Sequence, residues 1–568
     1  MRARFRAARR AAAFATAAAL AAGSLSGAAR ATTITIVNVD GAGEGFNDPA
    51  PASPVGGNPG TTIGAQRLFV FQHAAALWGA ILPSSVEIRV QAGFNPLSCT
   101  ATGGVLGSAG PWTLSRDFSG APLAGHWYHA ALANKLANSD LAVGSDDINA
   151  QFNSSVGQTG CLETTSWYYG VDGNAGSKID LLGTVLHELG HGLGFSTTTS
   201  GSSGMYASGI PHAWDHFLYD NGVGLHWDQM SDAQRAASAI ACDRLVWDGL
   251  YATQQAPLYL GAKPVVRVHA PAPIAADYDA GTASFGPALT TTGVTQTVVL
   301  VNDGLGTATD ACEALTNGAA VSGKIALIDR GNCTFTQKVK NAQNAGAIGA
   351  IIVDNVTGCP PSGLGGTDPT ITIPTVRITL ADGNTIKANL PGVNASLTRD
   401  AALLAGADAV GRVKMYAPST FASGSSVSHW DVTADPDLLM EPFATPHAPG
   451  SVDLTQWLLA DIGWFRGLVA VGDPAAARTH LIGNAPNPFG SSTSIHMVLA
   501  RGGDAELSIF DLGGRRVASL HVGALAAGTH SFDWHGLDDS GRRAPPGIYL
   551  VRLRAEGVVE SGRMVKWQ

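Results

Sequence analysis

The sequence predicts a multidomain chain: an α/β (α+β) first part, an inserted smaller α/β unit, and a C-terminal all-β sandwich. Three observations carry this. At 568 residues the chain is too long for one hydrophobic core. Between Lys263 and Leu397 the pattern changes to short apolar strands around one amphipathic helix. From Asn484 onward it becomes alternating strands broken by Gly and Asp turns.

In the first part, Thr33-Ile34-Thr35-Ile36-Val37 alternates as a strand does, and Ile63 to Ile81 places apolar residues at helical spacing. Val86 to Val90 is a second strand. A Gly-, Ser- and Asn-rich region follows, in which only Ser166 to Gly170 suggests an edge strand. Ile179 to Leu193 is expected to be a helix with Leu182, Val185, Leu186 and Leu189 on its core face, stopped by Gly190, Gly192 and Gly194. Ser231 to Ala241 is a further helix.

The helix expected over Ile179 to Leu193 carries the chemistry. In Leu186-His187-Glu188-Leu189-Gly190-His191-Gly192-Leu193-Gly194-Phe195, two histidines four apart share one helix face, close enough to ligate one metal ion. Glu188 lies about 100° further round, placed to act on a water rather than to ligate. The pattern predicts a Zn2+ site with Glu188 as general base. Zinc hydrolases use three protein ligands and keep one position open. In metzincins the third is a histidine three residues beyond the helix-ending glycine. Gly194 is in place, but Thr197 stands where that histidine belongs, so the third ligand must come from elsewhere.

A later segment supplies it. Ser428-His429-Trp430-Asp431, followed by Asp437-Leu438-Leu439-Met440-Glu441-Pro442, resembles the leishmanolysin family of metzincin zinc peptidases. The resemblance implies His429 as third ligand, Met440 as the Met-turn residue beneath the metal, and an insertion between the second and third histidines. Leu458 to Trp464 would then close the catalytic unit. His212, His216, His226 and His447 are read as solvated or structural, with His216 and His447 the reserve ligands.

Within the insertion, Val298 to Val301, Lys324 to Ile328, Ala350 to Val353 and Thr375 to Ile378 are strands, with a helix over Phe335 to Ala345 completing a βαβ unit. The run from Lys324-Ile325-Ala326-Leu327-Ile328-Asp329-Arg330-Gly331-Asn332-Cys333 to Ile352 resembles the protease-associated (PA) domain. That implies protein interaction or control of access, with no chemistry of its own. In the last part, strands are expected over Ser494 to Leu499, Ala505 to Phe510, Thr529 to Trp534 and Gly547 to Leu553. Asn487-Pro488-Phe489, Asp511-Leu512-Gly513-Gly514-Arg515, Trp534-His535-Gly536 and Pro546-Gly547-Ile548-Tyr549 resemble the Ig-like C-terminal sorting modules of exported bacterial proteins and the Ig-like module of hook-capping proteins. The sorting resemblance implies a partner in a type IX-like outer-membrane secretion machinery.

The expected division is 1–31 signal peptide, 32–262 first catalytic part, 263–398 PA insertion, 399–470 second catalytic part, 471–483 linker and 484–568 Ig-like module. The signal peptide is read from the arginines at 2, 4, 6, 9 and 10, the short apolar run Ala11 to Ala22, and the small residues of Ala29-Arg30-Ala31. No run is long enough for a transmembrane anchor. Export places the six cysteines in an oxidising compartment. Proximity pairs Cys99 with Cys161 and Cys312 with Cys333, leaving Cys242 and Cys359; none has zinc-ribbon spacing.

A charged fraction of 14%, a net charge of −9 and the absence of a basic run exclude nucleic acid as partner. The expected function is a secreted zinc endopeptidase acting on protein or peptide substrates. The competing class is a secreted binding or adhesion protein with a structural zinc. Glu188 separates the two, because a structural site needs no general base.

Overall fold

A computed structural model describes residues 32–444, 450–465, 479–485, 487–499, 501–526, 528–555 and 557–567. The expected signal peptide, His447 and most of the expected linker lie outside them.

The first part is built on four strands, β1 (Ile34–Asn38), β2 (Ile88–Asn95), β3 (Gly107–Pro111) and β4 (Ile148–Asn153), in the order β1-β2-β4-β3. β1, β2 and β4 are parallel, whereas β3 runs antiparallel to β4 along the sheet edge. Helix α1 (Ile63–Ile81) lies against helix α2 (Leu181–Leu193), and the Trp78 indole donates to the Leu186 carbonyl at 3.1 Å. Residues 91–165 hold more order than their Gly-rich composition suggests: β3, β4 and a helix over Ala130–Ala137 all arise there. Strand β4 and the helix are largely buried, whereas β3 is half-exposed and held by its ladder to β4, so tertiary context overrides weak strand propensity. The expected edge strand at 166–170 shrinks to Trp167–Tyr168, paired in parallel with Ile179–Asp180, which shortens the start of α2.

One hydrophobic core takes side chains both from residues before Gly261 and from residues 404–465. The chain returns beside itself: Ala262 pairs with Leu404, Trp247 N–H donates to the Val413 carbonyl at 2.8 Å, and Met415 N–H to that of Leu245 at 2.9 Å. Helix Thr455–Ile462 packs on helix Leu250–Tyr259, whose first amides, Tyr251 and Ala252, donate to the Asp461 carboxylate at 2.7 and 3.1 Å.

Between these two passages lies an eight-stranded mixed sheet. Its strands 294–300, 325–329, 349–353 and 375–378 are parallel, and helices Phe335–Asn344 and Leu380–Ala388 follow the second and the last of them. Strand Ala262–Ala270 pairs antiparallel with Asn394–Leu404. The boundary expected at 398 therefore falls inside a strand, which the hydrogen-bonded ladder carries on to Leu404.

The last part has two antiparallel sheets, 480–485/493–499/528–534 and 516–525/503–511/547–555/558–566. Phe489, Met497, Trp534, Tyr549 and Leu553 fill the space between them. Strand His480–Ala485 takes in the end of the expected linker, and the strands over 516–525 and 558–566 complete the sandwich. Disulfides join Cys99 to Cys161, Cys312 to Cys333 and Cys242 to Cys359, the last tying the mixed sheet's loop to the first part.

Candidate metal centre

Helix α2 begins at Asp180, whose carboxylate accepts from the amides of Leu182 and Gly183. It ends at Leu193, and Gly194 at φ 125° makes the turn that a side chain would strain. Gly190 and Gly192 do not stop the helix; it runs through both. A Cβ at 190 would lie 2.7 Å from Met440 Sδ, and one at 192 would lie 2.4 Å from Ile148 Cγ2. The two glycines let Met440 and the sheet approach the helix closely.

His187, His191 and His429 converge. Their Nε2 atoms form a triangle with sides of 3.1, 3.2 and 3.2 Å. Each ring is oriented by its other nitrogen: Nδ1–H donates to the carbonyl of Leu439 from His187 (2.7 Å), of Phe195 from His191 (2.8 Å) and of Ser425 from His429 (2.8 Å). A carbonyl can only accept, so in the neutral rings the Nε2 lone pairs face one another. Burial drives His191 down to about 4. It also drives His429 well below its usual range, helped by the two neighbouring imidazoles. Converging neutral lone pairs repel unless a cation lies between them. Three imidazoles on one tetrahedral zinc have nitrogens about 3.3 Å apart at ordinary bond lengths, so the donor set fits such an ion.

Glu188 is buried between α2 and β3. Burial raises its carboxyl to about 8, opposed by the Ala109 amide that donates to it. Gly107 leaves the room: a Cβ there would be 2.9 Å from Glu188 Cγ and 3.0 Å from Oε1. Met440 is fully buried beneath the helix, and its carbonyl accepts from Trp430 N–H at 2.9 Å, tying the turn to the segment that carries His429.

Thr197 takes no place in the triangle. Its hydroxyl donates to Asp215 Oδ1 at 2.7 Å, and its amide to Ser428 Oγ at 3.3 Å, beside His429. His212 is buried rather than solvated and accepts from the Trp214 amide. His216 and His226 pair with Asp228 and Asp248 at 2.7 and 2.9 Å, so neither lies with the three histidines. The sequence reading missed Gly107, Ala109 and the three orienting carbonyls. Backbone acceptors leave no trace in residue identity, and a glycine among so many glycines is not distinctive.

Comparison with known proteins identifies two modules. Residues 294–386 match the PA domain and residues 487–557 the FlgD Ig-like domain. The chain is thus a multidomain α/β protein holding both. It is 30% identical over 175 residues to the minor extracellular protease Vpr of Bacillus subtilis (strain 168), covering 27% of this chain and 20% of that protein. It is 60% identical over 47 residues to the ER degradation-enhancing alpha-mannosidase-like protein 3 of Homo sapiens, covering 8% and 5%. The chain spans a fifth or less of these relatives, and their names denote different activities. Among solved structures, the zinc aminopeptidase BSAP of Bacillus subtilis aligns at 24% identity over 26% of this chain and 34% of that one, with a TM-score of 0.20. No helix among the described residues is long and apolar enough to cross a membrane.

Proposed function

We propose that this chain is a secreted zinc-dependent endopeptidase of the metzincin kind, with His187, His191 and His429 as ligands and Glu188 as general base. The observation that carries the reading is the triangle of Nε2 atoms with a buried carboxylate on the same helix. A zinc ion held there would supply Lewis-acid polarisation of a water and of the scissile carbonyl. The Nδ1–H bonds to Leu439, Phe195 and Ser425 hold the three lone pairs on one point. Glu188 accepts the proton of the attacking water at a carboxylate oxygen and passes it to the leaving amine. The Ala109 amide steadies that carboxylate against β3.

Position on the sheet favours internal cleavage. Among the described residues β3 has β4 on one side only, and Gly107, Ser108, Ala109 and Gly110 keep its outer side low. An extended substrate added there would run past the histidines with both ends free. The leishmanolysin-like type is supported by His429 arriving from beyond the inserted PA domain and by Met440 beneath the helix. The extracellular setting of Vpr and three disulfides fit export, and the Ig-like module is the candidate sorting element. Deletion of residues 484–568 should stop surface delivery of the protein.

The test is zinc content together with casein cleavage for wild type, Glu188→Ala and His429→Ala. Glu188→Ala should keep zinc and lose cleavage, and His429→Ala should lose both. Equal cleavage by wild type and Glu188→Ala would end the peptidase reading.

A further inference from the structure

The PA domain contains a second constellation, away from the histidines. We propose that Asp303, Asp310 and Glu313 form a calcium site in the loop between strand 294–300 and strand 325–329. Their carboxylate oxygens lie within 4.8 Å of one another. Asp303 and Asp310 are buried, at 3% and 1% exposure, while Glu313 opens to solvent.

A cluster of acids alone would mean little. The separate observation is Asp303 Oδ2, a buried oxygen with no hydrogen-bond partner among the described residues. Its other oxygen accepts only a long bond from the Leu305 amide, at 3.3 Å. Leaving a buried carboxylate oxygen unsatisfied is costly, and native proteins rarely do so without a bound group. Asp310, by contrast, is held in place: Oδ1 accepts from the Cys312 amide at 3.0 Å and Oδ2 from Asn332 Nδ2 at 2.6 Å. The Cys312–Cys333 disulfide closes the same loop, so the geometry is braced from two sides.

Lys338 is the obvious internal counter-ion, and it does not satisfy Asp303. Its ammonium is fully buried and donates to the Asp310 carbonyl at 2.7 Å and to Cys312 Sγ at 3.3 Å, while standing 3.9 Å from Asp310 Oδ2. Three carboxylates against one ammonium leave two negative charges, the charge of one divalent cation. Oxygen-only donors select a hard ion. Calcium bonds at about 2.3–2.6 Å accept a spread of this size, and its flexible shell takes water at the open Glu313 side. Magnesium holds its own waters and demands a tighter octahedron.

The experiment uses the full chain, with CaCl2 as the probe and MgCl2 as the comparison. Calorimetric titration should show one calcium per chain in wild type and in His191→Ala, since the histidine site plays no part. Glu313→Gln should weaken binding about tenfold or more, and Asp303→Asn should abolish it. In chelator, Asp303→Asn should unfold at the same temperature as wild type or higher, because it removes an unpaired buried charge. A purely structural aspartate would instead be destabilised by that change in chelator. The proposal is overturned if wild type binds no calcium, if the aspartate and glutamate variants bind as wild type does, or if magnesium binds equally well.

Discussion

Met440 Sδ stands where a side chain on residue 190 would begin: a Cβ built on Gly190 would lie 2.7 Å from it and 3.2 Å from Met440 Cε. Gly190 is helical, so its value is space rather than an unusual backbone angle. Gly190→Ala gains up to about 1 kcal/mol of helix propensity, but overpacking a filled site costs about 1–3 kcal/mol. The expected result is a lower unfolding temperature together with weaker zinc retention, since Leu439, the neighbour of Met440, holds the His187 ring. Gly192→Ala, which meets Ile148 instead, should destabilise with less effect on zinc. Thermal unfolding and zinc stoichiometry of the two variants check this.

If Glu188 is the proposed base, both stability and activity should depend on pH through it. Burial raises its folded pKa from the usual carboxylate value to about 8. A raised carboxylate destabilises the fold as it ionises, so the cost is absent below the unfolded pKa and grows as pH rises toward 8. Chelated wild type should therefore lose stability between about pH 5 and pH 8, and Glu188→Gln should lose less over the same range. With zinc present the positive ion favours the carboxylate, so the acidic limb of kcat/KM should fall below pH 8. Glu188→Gln should cost about 10²–10⁴ in kcat with zinc retained.

Thr197 should prove structural. Its hydroxyl bonds to Asp215, a buried carboxylate that also accepts from Thr199 Oγ1 at 2.5 Å and the His212 amide at 2.8 Å. Thr197→Val removes one of these donors and should destabilise by about 1–3 kcal/mol. Zinc content should not change. Loss of zinc in this variant would mean that Thr197 positions His429 through Ser428.

The bridge between Cys242 and Cys359 can be removed without touching the histidines. It closes a long loop, and its loss should cost about 2–4 kcal/mol through the freedom returned to the unfolded chain. The double variant Cys242→Ser/Cys359→Ser should melt earlier and still bind zinc, because His187, His191 and His429 are set by the core around them. A drop in zinc content would show instead that the bridge holds the 419–429 segment, where the Ser419 amide meets the Cys359 carbonyl at 3.4 Å.

Much of the molecule was legible residue by residue. Helix Ile63–Ile81 begins and ends where its apolar spacing placed it, and the four parallel strands of the PA domain differ from their expected bounds by only a few residues. Both patterns are local, since burial on one face or on two is written into the period of the apolar residues. Strand β3 was not legible. Gly107-Ser108-Ala109-Gly110-Pro111 has no strand propensity, and it pairs because β4 and Glu188 need a thin partner at that edge.

Residue order alone offers the candidate groups: two histidines and a glutamate on one helix turn, a threonine where the usual third ligand would stand, and a Ser-His-Trp segment with another histidine. Helical periodicity is enough to place His187 and His191 side by side. Tertiary structure decided the rest. His429 is 238 residues from His191, and only the pairing of Ala262 with Leu404 and of residues 413–415 with 245–247 returns the chain to the helix. The carbonyls of Leu439, Phe195 and Ser425, which turn three separate rings toward one point, exist as a set only after that closure. Residue identity specifies which groups can bind or carry a proton, whereas distance and orientation between remote segments come from the packing of the whole core.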